Sequence, residues 1–143
     1  MKKKIIGIVL IAALAVGVAG CSNGKVNSND DGSGSNISEN AIEYKKISPG
    51  DAKARLDQEE GIILLDVRTE EEFDEKHITG AIRLQLDFVE EEVEEVIKDK
   101  ETVVFVYCRS GRRSKEATKI MVELGYENVY DLGGINDWNY ETE

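Results

Sequence analysis

Thiols and imidazoles are scarce in this chain. Its 143 residues include two cysteines, Cys21 and Cys108, and a single histidine, His77. There is no Cys-x-x-Cys motif, which argues against thioredoxin-like dithiol chemistry. One cysteine and one histidine do not complete the four-ligand sphere of zinc, so we predict no metal site.

Long apolar runs are equally scarce. The one that is present, residues 5–19, carries no charge and follows three consecutive lysines at positions 2–4. It is short for a membrane span and typical of the apolar region of a signal peptide. The run ends in Val18-Ala19-Gly20-Cys21, which resembles the lipobox of bacterial lipoproteins. That resemblance implies a signal peptide over residues 1–20 and lipidation of Cys21 as the mature N-terminus.

The alternative is an uncleaved membrane anchor in which Cys21 is incidental. Either interpretation places the rest of the chain outside the cytoplasm, at a bacterial membrane. Residues 22–40 are mostly Ser, Asn, Gly and Asp with almost nothing to bury. We therefore predict that residues 21–40 are a lipidated, flexible tether spanning roughly 25 Å, and that residues 41–143 form the folded domain. With Cys21 acylated, Cys108 is the only free thiol and has no resolving partner.

Basic residues are outnumbered by acidic ones. The chain has 18 Lys and Arg against 29 Asp and Glu, a formal net charge of −11, and loss of the three lysines in residues 1–20 makes it −14. We expect such a protein to be repelled by nucleic acid. The acidic clusters at 70–72 and 90–95 are interpreted as solvated helix faces, or alternatively as a site for a basic partner. Against this background Arg109, Arg112 and Arg113 form a basic group beside Cys108.

Short apolar runs alternate with amphipathic ones from residue 42 onward. Residues 62–65 and 103–106 are apolar on both sides, as in strands of a covered parallel sheet. Helix starts are indicated at Ser48-Pro49 and at Thr69, where Glu72 completes a capping box. The alternation predicts an α/β fold with a mainly parallel sheet of about five strands and helices on both faces.

Further helix features follow from spacing. Asp87 is predicted to cap the third helix, whose apolar face is predicted to comprise Phe88, Val89, Val93, Val96 and Ile97. Gly125 is predicted to end the fourth helix in a conformation with positive φ. A first edge strand is predicted over 42–47, and a short terminal helix containing Ile135 and Trp138.

Cys108 follows the apolar run 103–106 and precedes a helix. Backbone N–H groups in the loop Arg109–Arg113 and in the first helical turn have no partner within the helix, and the helix dipole adds positive potential. Both effects favour a thiolate, which is the nucleophilic form of cysteine. In a parallel sheet, ligands bind at the carboxyl ends of the strands, where Asp66, Arg68 and Cys108 would lie.

Four stretches in order resemble the single-domain, rhodanese-like sulfurtransferases. They cover roughly residues 44 to 140. The stretches are Leu64–Arg68 with Glu71–Phe73, His77–Ile82, the Cys108 loop, and Leu132–Trp138. The resemblance implies the rhodanese fold, no cofactor, and Cys108 as the residue that carries sulfur as a persulfide.

The rhodanese mechanism implies a small sulfur-containing anion such as thiosulfate as donor, and cyanide or a thiol as acceptor. The loop amides from Arg109 through Arg113 are expected to cradle the persulfide, with Gly111 allowing close approach. The arginines are expected to hold the donor oxyanion. Ser110 and Ser114 could donate hydrogen bonds, although Ser114 could equally lie in the first helical turn without a chemical role.

Two other functions stay open. Phosphatase or arsenate-reductase chemistry uses His-Cys followed by five residues and Arg, whereas here Tyr107 precedes the cysteine and Ser114 occupies the sixth position after it. The loop therefore disfavours that chemistry. A non-catalytic or slow module, which binds a partner or carries sulfur, is not excluded by the intact Cys108.

The remaining residues receive structural interpretations. Asp66 is expected to accept N–H groups of the loop, and Arg68 to pair with Glu72 rather than with substrate. His77 is interpreted as structural rather than as a general base, and Trp138 as core. Leu132 stands before the Gly-Gly pair where the family commonly has an acidic residue. We expect a monomer.

Overall fold

The computed structural model describes residues 42–143. Five strands alternate with four helices, and one 3-10 turn follows the last strand, which confirms the predicted order. The strands are β1 Lys45–Lys46, β2 Ile63–Asp66, β3 Ile82–Arg83, β4 Val104–Cys108 and β5 Val129–Gly134. The helices are α1 Pro49–Gln58, α2 Glu70–Glu75, α3 Leu86–Val96 and α4 Arg112–Glu123, and the 3-10 turn is Ile135–Asp137.

The five strands form one parallel sheet in the order β1-β5-β4-β2-β3. Strand β4 lies in the middle, and its last residue, Cys108, is opposite Gly134 of β5. The register shifts beside it: Val106 is opposite Asp131 but Tyr107 is opposite Gly133. Leu132 is therefore an extra residue on β5, a bulge of the kind that turns a strand end toward a site.

Apolar side chains cover the sheet on both faces because successive strand residues point to opposite sides. Val104 and Val106 of β4 join a core with Val93 of α3 and Met121 of α4. On the other face, Phe105 and Tyr107 pack with residues that include Ala52 of α1, Leu132 and Trp138. Burial of each large apolar side chain is worth about 1.5–3 kcal/mol, so this two-sided cover confirms and explains the α/β arrangement.

The predicted caps of α1 and α2 are confirmed. The Ser48 hydroxyl accepts a hydrogen bond of 3.1 Å from the N–H of Asp51, and Pro49 is the first residue of α1. Thr69 and Glu72 form both halves of the capping box of α2. Gly125, just after α4, has a φ of 91° as expected.

Helix α3 differs from the prediction. It begins at Leu86, so Asp87 lies inside its first turn, and Gln85 precedes it without a side-chain capping bond. Val89, Val93 and Ile97 are buried, as expected of residues spaced by four. Phe88 and Val96 are 45% and 44% exposed, because they lie one position away around the helix. The predicted apolar face of this helix is therefore buried only in part, and including Phe88 and Val96 in it was wrong.

The first strand and the C-terminal helical segment are shorter than predicted. Strand β1 has two residues rather than six, and Trp138 follows the 3-10 turn instead of lying within a helix. The predicted signal peptide over residues 1–20, lipidation of Cys21 and the tether over 21–40 lie outside the described residues. None of the helices between residues 42 and 143 is long and apolar enough to cross a membrane.

Candidate active site

Cys108 lies at the carboxyl end of the central strand, as predicted. Every residue of β4 is buried, and Cys108 itself is 1% exposed. The chain then turns through three residues and enters α4 at Arg112. Gly111 makes this short turn possible with a φ of 92°, and its N–H donates a hydrogen bond of 3.1 Å to the Cys108 Sγ. A side chain at this φ would be strained.

The surroundings of the sulfur favour its negative form. Burial raises the pKa of the Cys108 thiol, but hydrogen bonds from the N–H groups of Ser114, Ser110 and Gly111 and from the Ser114 hydroxyl lower it by more, so the pKa lies below its ordinary value. The donors belong to the turn and the first turn of α4, where N–H groups have no helical partner. Of the amides from Arg109 through Arg113 that are expected to form the cradle, those of Ser110 and Gly111 are among these donors, and the third amide, that of Ser114, lies just beyond that range.

The end of β5 packs directly on the backbone of the cysteine loop. A Cβ added to Gly134 would lie 2.6 Å from the carbonyl oxygen of Arg109 and 2.9 Å from the Cα of Ser110. Such distances are not tolerated, and because the atoms met belong to the backbone, only a shift of the backbone itself could relieve them. Gly134 thus allows the loop to lie against β5. Sequence reasoning used the Gly-Gly pair only as part of a family signature and missed this role.

Ser114 connects the first turn of α4 to β5. It is fully buried, and its hydroxyl donates a hydrogen bond of 2.6 Å to Oδ1 of Asp131. The same carboxylate oxygen accepts the N–H of Gly133 at 3.0 Å. Asp131 is 6% exposed and forms no ion pair with any residue between 42 and 143. Asp131 was not singled out from the sequence. The available signal for it was its position two residues before Gly133.

The three arginines near Cys108 have separate environments. Arg113 holds Glu72 of α2 with two hydrogen bonds, Nη1–Oε2 of 2.6 Å and Nη2–Oε1 of 2.8 Å. Arg113, followed by the N–H of Thr69, lowers the pKa of Glu72 to about 2 against the opposing effect of burial. Arg112 is 78% exposed and lies 3.6 Å from Glu116. Arg109 is exposed and lines a cleft described below.

The expected pairing of Arg68 with Glu72 is wrong. Arg68 pairs with Asp66, with Nη2–Oδ2 at 2.6 Å, and donates a further hydrogen bond of 2.7 Å to the carbonyl of Lys76. Glu72 is turned toward Arg113 by its place in the capping box. Asp66 and Arg68 are both buried, so each must be compensated by a close partner.

Asp66 also does not hold the cysteine loop as expected. Its oxygens accept the Nε and Nη2 of Arg68, and Oδ1 accepts the Arg68 backbone N–H at 2.9 Å. These bonds use the carboxylate locally, at the end of β2. Asp131, on the other neighbouring strand of β4, is the carboxylate that contacts Ser114 in the first turn of α4.

His77 and Trp138 have structural contacts. The His77 ring stacks on Phe73 with centroids 3.7 Å apart, and its Nδ1 lies 2.9 Å from the carbonyl oxygen of Phe73. Trp138 is buried and donates to the carbonyl of Glu141 at 3.2 Å. Both arrangements agree with the structural interpretation. Between residues 42 and 143, no three His, Cys, Asp or Glu side chains are grouped as metal ligands.

A cleft of about 390 Å³ opens beside the cysteine loop. Five charged side chains form most of its wall, and two apolar residues and one asparagine complete it. Its lining comprises Arg68, Glu72, Glu75, Lys76, Arg109, Ile135, Asn136 and Trp138. Asn136 also ties this wall to the loop, because its N–H points at the carbonyl of Arg109, 3.4 Å away.

A family model described as "Rhodanese-like domain" matches residues 48–141, most of the region just described. The chain belongs to the rhodanese-like domain family. The thiosulfate sulfurtransferase PspE of Escherichia coli is 40% identical over 73 residues, which are 51% of this chain and 70% of that protein. YrkF of Bacillus subtilis, named as a candidate sulfur carrier protein, is 35% identical over 111 residues, 77% of this chain and 59% of YrkF.

Solved structures agree with this rhodanese-like fold. A structure described as a rhodanese with anions, from E. coli, superimposes with a TM-score of 0.55 at 35% identity, covering 57% of this chain and 96% of that one. The predicted rhodanese fold is therefore confirmed, whereas the roles of individual residues in this chain rest on the geometry above.

Proposed function

We propose that this rhodanese-like protein is a sulfurtransferase that moves sulfane sulfur through a persulfide on Cys108. The donor is a small anion such as thiosulfate, and the acceptor is cyanide or a thiol. The proposal rests on the surroundings of the Cys108 sulfur. Cys108 is the last residue of the central strand, and its sulfur accepts a hydrogen bond from the Gly111 N–H. Together with the neighbouring donors, this bond lowers the pKa of the thiol.

In the first step, the Cys108 thiolate attacks the outer sulfur of thiosulfate. A new S–S bond forms to Cys108, the S–S bond of thiosulfate breaks, and sulfite leaves with the bonding electrons. The negative outer sulfur of the persulfide requires hydrogen-bond donors in a site with little water, and oriented amides supply them without reorganisation. Gly134 supports this arrangement because it lets the loop pack against β5.

In the second step, the acceptor attacks the outer sulfur of the persulfide. The S–S bond to Cys108 breaks, the thiolate re-forms with the bonding electrons, and thiocyanate or a small persulfide is released. One nucleophile therefore serves both half-reactions, as in other ping-pong cycles. No second cysteine is required, in agreement with Cys108 being the only cysteine between residues 42 and 143.

We also propose that the domain works outside the cytoplasm, tethered by a lipid on Cys21. The support is the basic and apolar sequence of residues 1–20 and the lipobox-like Val18-Ala19-Gly20-Cys21. A test is metabolic labelling with a radioactive fatty acid in a bacterial host. Label on the full-length chain that is lost in Cys21→Ser supports the tether, and unlabelled wild-type protein contradicts it.

One alternative is supported by a specific observation. YrkF, 35% identical over 111 residues, is named as a candidate sulfur carrier protein. In a carrier of this kind a protein partner, rather than a free small molecule, unloads the sulfur. This alternative predicts a stable persulfide after thiosulfate treatment but little turnover with cyanide.

The test uses the full-length chain purified in mild detergent. Thiosulfate and cyanide are added and thiocyanate is measured, with Cys108→Ser as the matched control. The intact mass is recorded after thiosulfate alone. Cys108-dependent thiocyanate and a mass gain of one sulfur atom support the enzyme, and a mass gain without turnover supports the carrier. Absence of both signals in folded protein contradicts both functions.

A further inference from the structure

Three lysine side chains surround one aromatic ring at the edge of the sheet. The ring is that of Tyr44, and the ammonium groups of Lys46, Lys115 and Lys119 each lie 5.8 Å from its centroid. An aromatic face attracts a cation at this distance, but three ammonium groups around one ring also repel one another. We call these four residues the lysine face. Its concentrated positive charge stands out in a chain whose formal net charge is −11.

The fold brings the lysine face together from two separate elements. Lys46 of β1 is opposite Asp131 of β5, and residues in register point to the same face of a sheet. The Asp131 side chain contacts Ser114 of α4, so Lys46 also points to the α4 side. Lys115 and Lys119 are four residues apart and therefore lie on one side of α4. The edge strand and the neighbouring helix thus form the lysine face jointly.

No carboxylate neutralises these lysines within the described residues 42–143. There, the ammonium groups of Lys46, Lys115 and Lys119 form neither an ion pair nor a hydrogen bond. The Lys46 and Lys115 side chains are exposed, and the Lys119 side chain is half-buried. An anionic surface would therefore meet three uncompensated positive charges that are held close together.

The acidic clusters belong to helices connected to the opposite edge strand. Residues 70–72 begin α2 and residues 90–95 belong to α3, and these two helices precede and follow β3. The edge strands β1 and β3 are separated by four strand spacings, or about 19 Å. Charges in physiological salt are largely screened beyond about 8 Å. The two edges therefore act largely independently, and the net negative charge does not prevent the lysine face from attracting an anion.

The lysine face also follows closely after the proposed tether in the sequence. Tyr44 comes 23 residues after Cys21, and a flexible chain of that length spans roughly 25 Å. A lipid on Cys21 would keep headgroups permanently within reach, so that even a weak contact is populated. Tyrosine also suits a membrane surface, because its ring is apolar and its hydroxyl is polar. Both features favour a lipid surface over a free acidic protein as the partner.

We propose, resting on the lipid tether proposed above, that the lysine face docks on the anionic lipid headgroups of the membrane that holds the tether. Lys46, Lys115 and Lys119 pair with lipid phosphates, and the Tyr44 ring lies at the level of the headgroups. The contact is electrostatic and reversible, and each lysine increases the docked population about fivefold. Docking orients the domain on its tether, with β1 and α4 toward the membrane.

The test measures how fast individual lysines react while the chain is held in lipid nanodiscs. The full-length chain is purified from a bacterial host in mild detergent and reconstituted into phosphatidylcholine discs, with or without phosphatidylglycerol. A water-soluble amine-acetylating reagent is added at low ionic strength, and mass spectrometry gives the rate at each lysine. Lys98 is the internal control, because it is an exposed lysine after α3 that forms no ion pair with residues 42–143.

We expect phosphatidylglycerol to slow the acetylation of Lys46, Lys115 and Lys119 about fivefold or more, and raised salt to restore it. The acetylation rate of Lys98 should not change. In the double variant Lys115→Gln/Lys119→Gln the protection of Lys46 should be lost, whereas Lys98→Gln should retain it. Urea unfolding verifies that both variants are folded, so that a loss of protection reports the missing charges.

The possible failures are distinguishable. If the chain is retained in the discs but the three lysines react equally fast with and without phosphatidylglycerol, the docking proposal is wrong while the tether stands. Equal protection in both kinds of disc, as cover by residues 22–40 would give, overturns it too. Protection by added polyglutamate but not by phosphatidylglycerol would assign the lysine face to an acidic protein instead. If the chain is not retained and Cys21 carries no lipid, the tether fails and the docking proposal fails with it.

Discussion

The Ser114 hydroxyl lies 2.6 Å from Oδ1 of Asp131, beneath the loop that holds the Cys108 sulfur. Ser114 is also one of the hydrogen-bonding groups that lower the pKa of Cys108. A hydroxyl has one proton, so it can donate to the carboxylate or to the sulfur but not to both at once. When the sulfur is neutral the Ser114 hydroxyl donates to Asp131, and a thiolate or persulfide competes with the carboxylate for that hydrogen bond.

Ser114→Ala should affect both stability and the cysteine. Removal of the hydroxyl leaves the buried Asp131 carboxylate without its shortest hydrogen bond, which we expect to cost about 1–3 kcal/mol of unfolding free energy. It also removes a donor that lowers the pKa of Cys108, so the pH midpoint for Cys108 alkylation by iodoacetamide should rise.

The measurements are urea unfolding and alkylation rate against pH, on Cys21→Ser protein so that one thiol reacts. Ser110→Ala is the control, since its exposed side chain is removed while its N–H remains; an equal shift there would contradict the assignment to Ser114.

Gly134→Ala should displace the cysteine loop. The new Cβ would lie 2.6 Å from the carbonyl oxygen of Arg109, and backbone must move to relieve the contact. We expect a loss of sulfur transfer of about 100-fold or more, because small displacements of a reacting group are that costly. Gly50→Ala is the control: it lies in α1, its Cβ would have no neighbour closer than 3.8 Å, and it should be neutral or slightly stabilising. Full activity in Gly134→Ala would show that the packing of β5 on the loop is not required.

Glu72→Gln should change the response to acid. The pKa of Glu72 is lowered to about 2 in the folded chain, from an ordinary value of 4.5, chiefly by Arg113. A lowered folded-state pKa stabilises the fold above the unfolded value, and this contribution is lost as pH falls from about 4.5 toward 2. Wild type should therefore lose about 1 kcal/mol more than Glu72→Gln between pH 6 and pH 3, a modest value because the pair is partly solvated.

The measurement for this pair is urea unfolding at several pH values, with Glu71→Gln as the control for an exposed glutamate on the same helix. Glu71→Gln should follow the wild-type pH dependence. Parallel stability curves for wild type and Glu72→Gln over this range would contradict a stabilising role for the contact between Glu72 and Arg113.

Arg68→Met should destabilise the protein far more than loss of an exposed arginine. It leaves the carboxylate of Asp66, which is fully buried, without its cation, and breaking such a pair costs about 3–5 kcal/mol. Arg112→Met is the matched control, since Arg112 is 78% exposed and pairs with Glu116 at the surface, and such pairs are worth about 0–1 kcal/mol. Thermal or urea unfolding compares the two. Similar losses in both variants would contradict the buried ion pair.

The site was partly predictable from the sequence. Cys108 after an apolar strand, Gly111 in a short turn and free N–H groups at a helix start are local features, and the structure places them together. The capping box at Thr69 and Glu72 is local as well. In contrast, Asp131 and Gly134 lie some twenty residues or more beyond Cys108 in the sequence, and they meet its loop only because β5 is the neighbour of β4.

The choice of partner in each ion pair likewise could not be predicted from the sequence. Arg68, Glu72 and Arg113 carry the same charges in any fold, and sequence spacing suggested the wrong pair. Which carboxylate meets which arginine depends on β2 lying beside β4 and on α2 approaching the start of α4. The prediction that Phe88 is buried was wrong for a related reason. The rotation of a helix against its sheet decides which of two adjacent apolar residues is covered.

The sequence by itself determined the order of strands and helices, the α/β class, and the position of Cys108 between a strand and a helix start, because periodicity, caps and turns are properties of neighbouring residues. Only the tertiary structure decided the hydrogen bond between Ser114 and Asp131, the contact of Gly134 with the cysteine loop, the pairing of Arg113 with Glu72, and the cleft lined by Glu75 and Arg109. These depend on strand order and on how the layers pack, which are set by long-range burial rather than by local spacing.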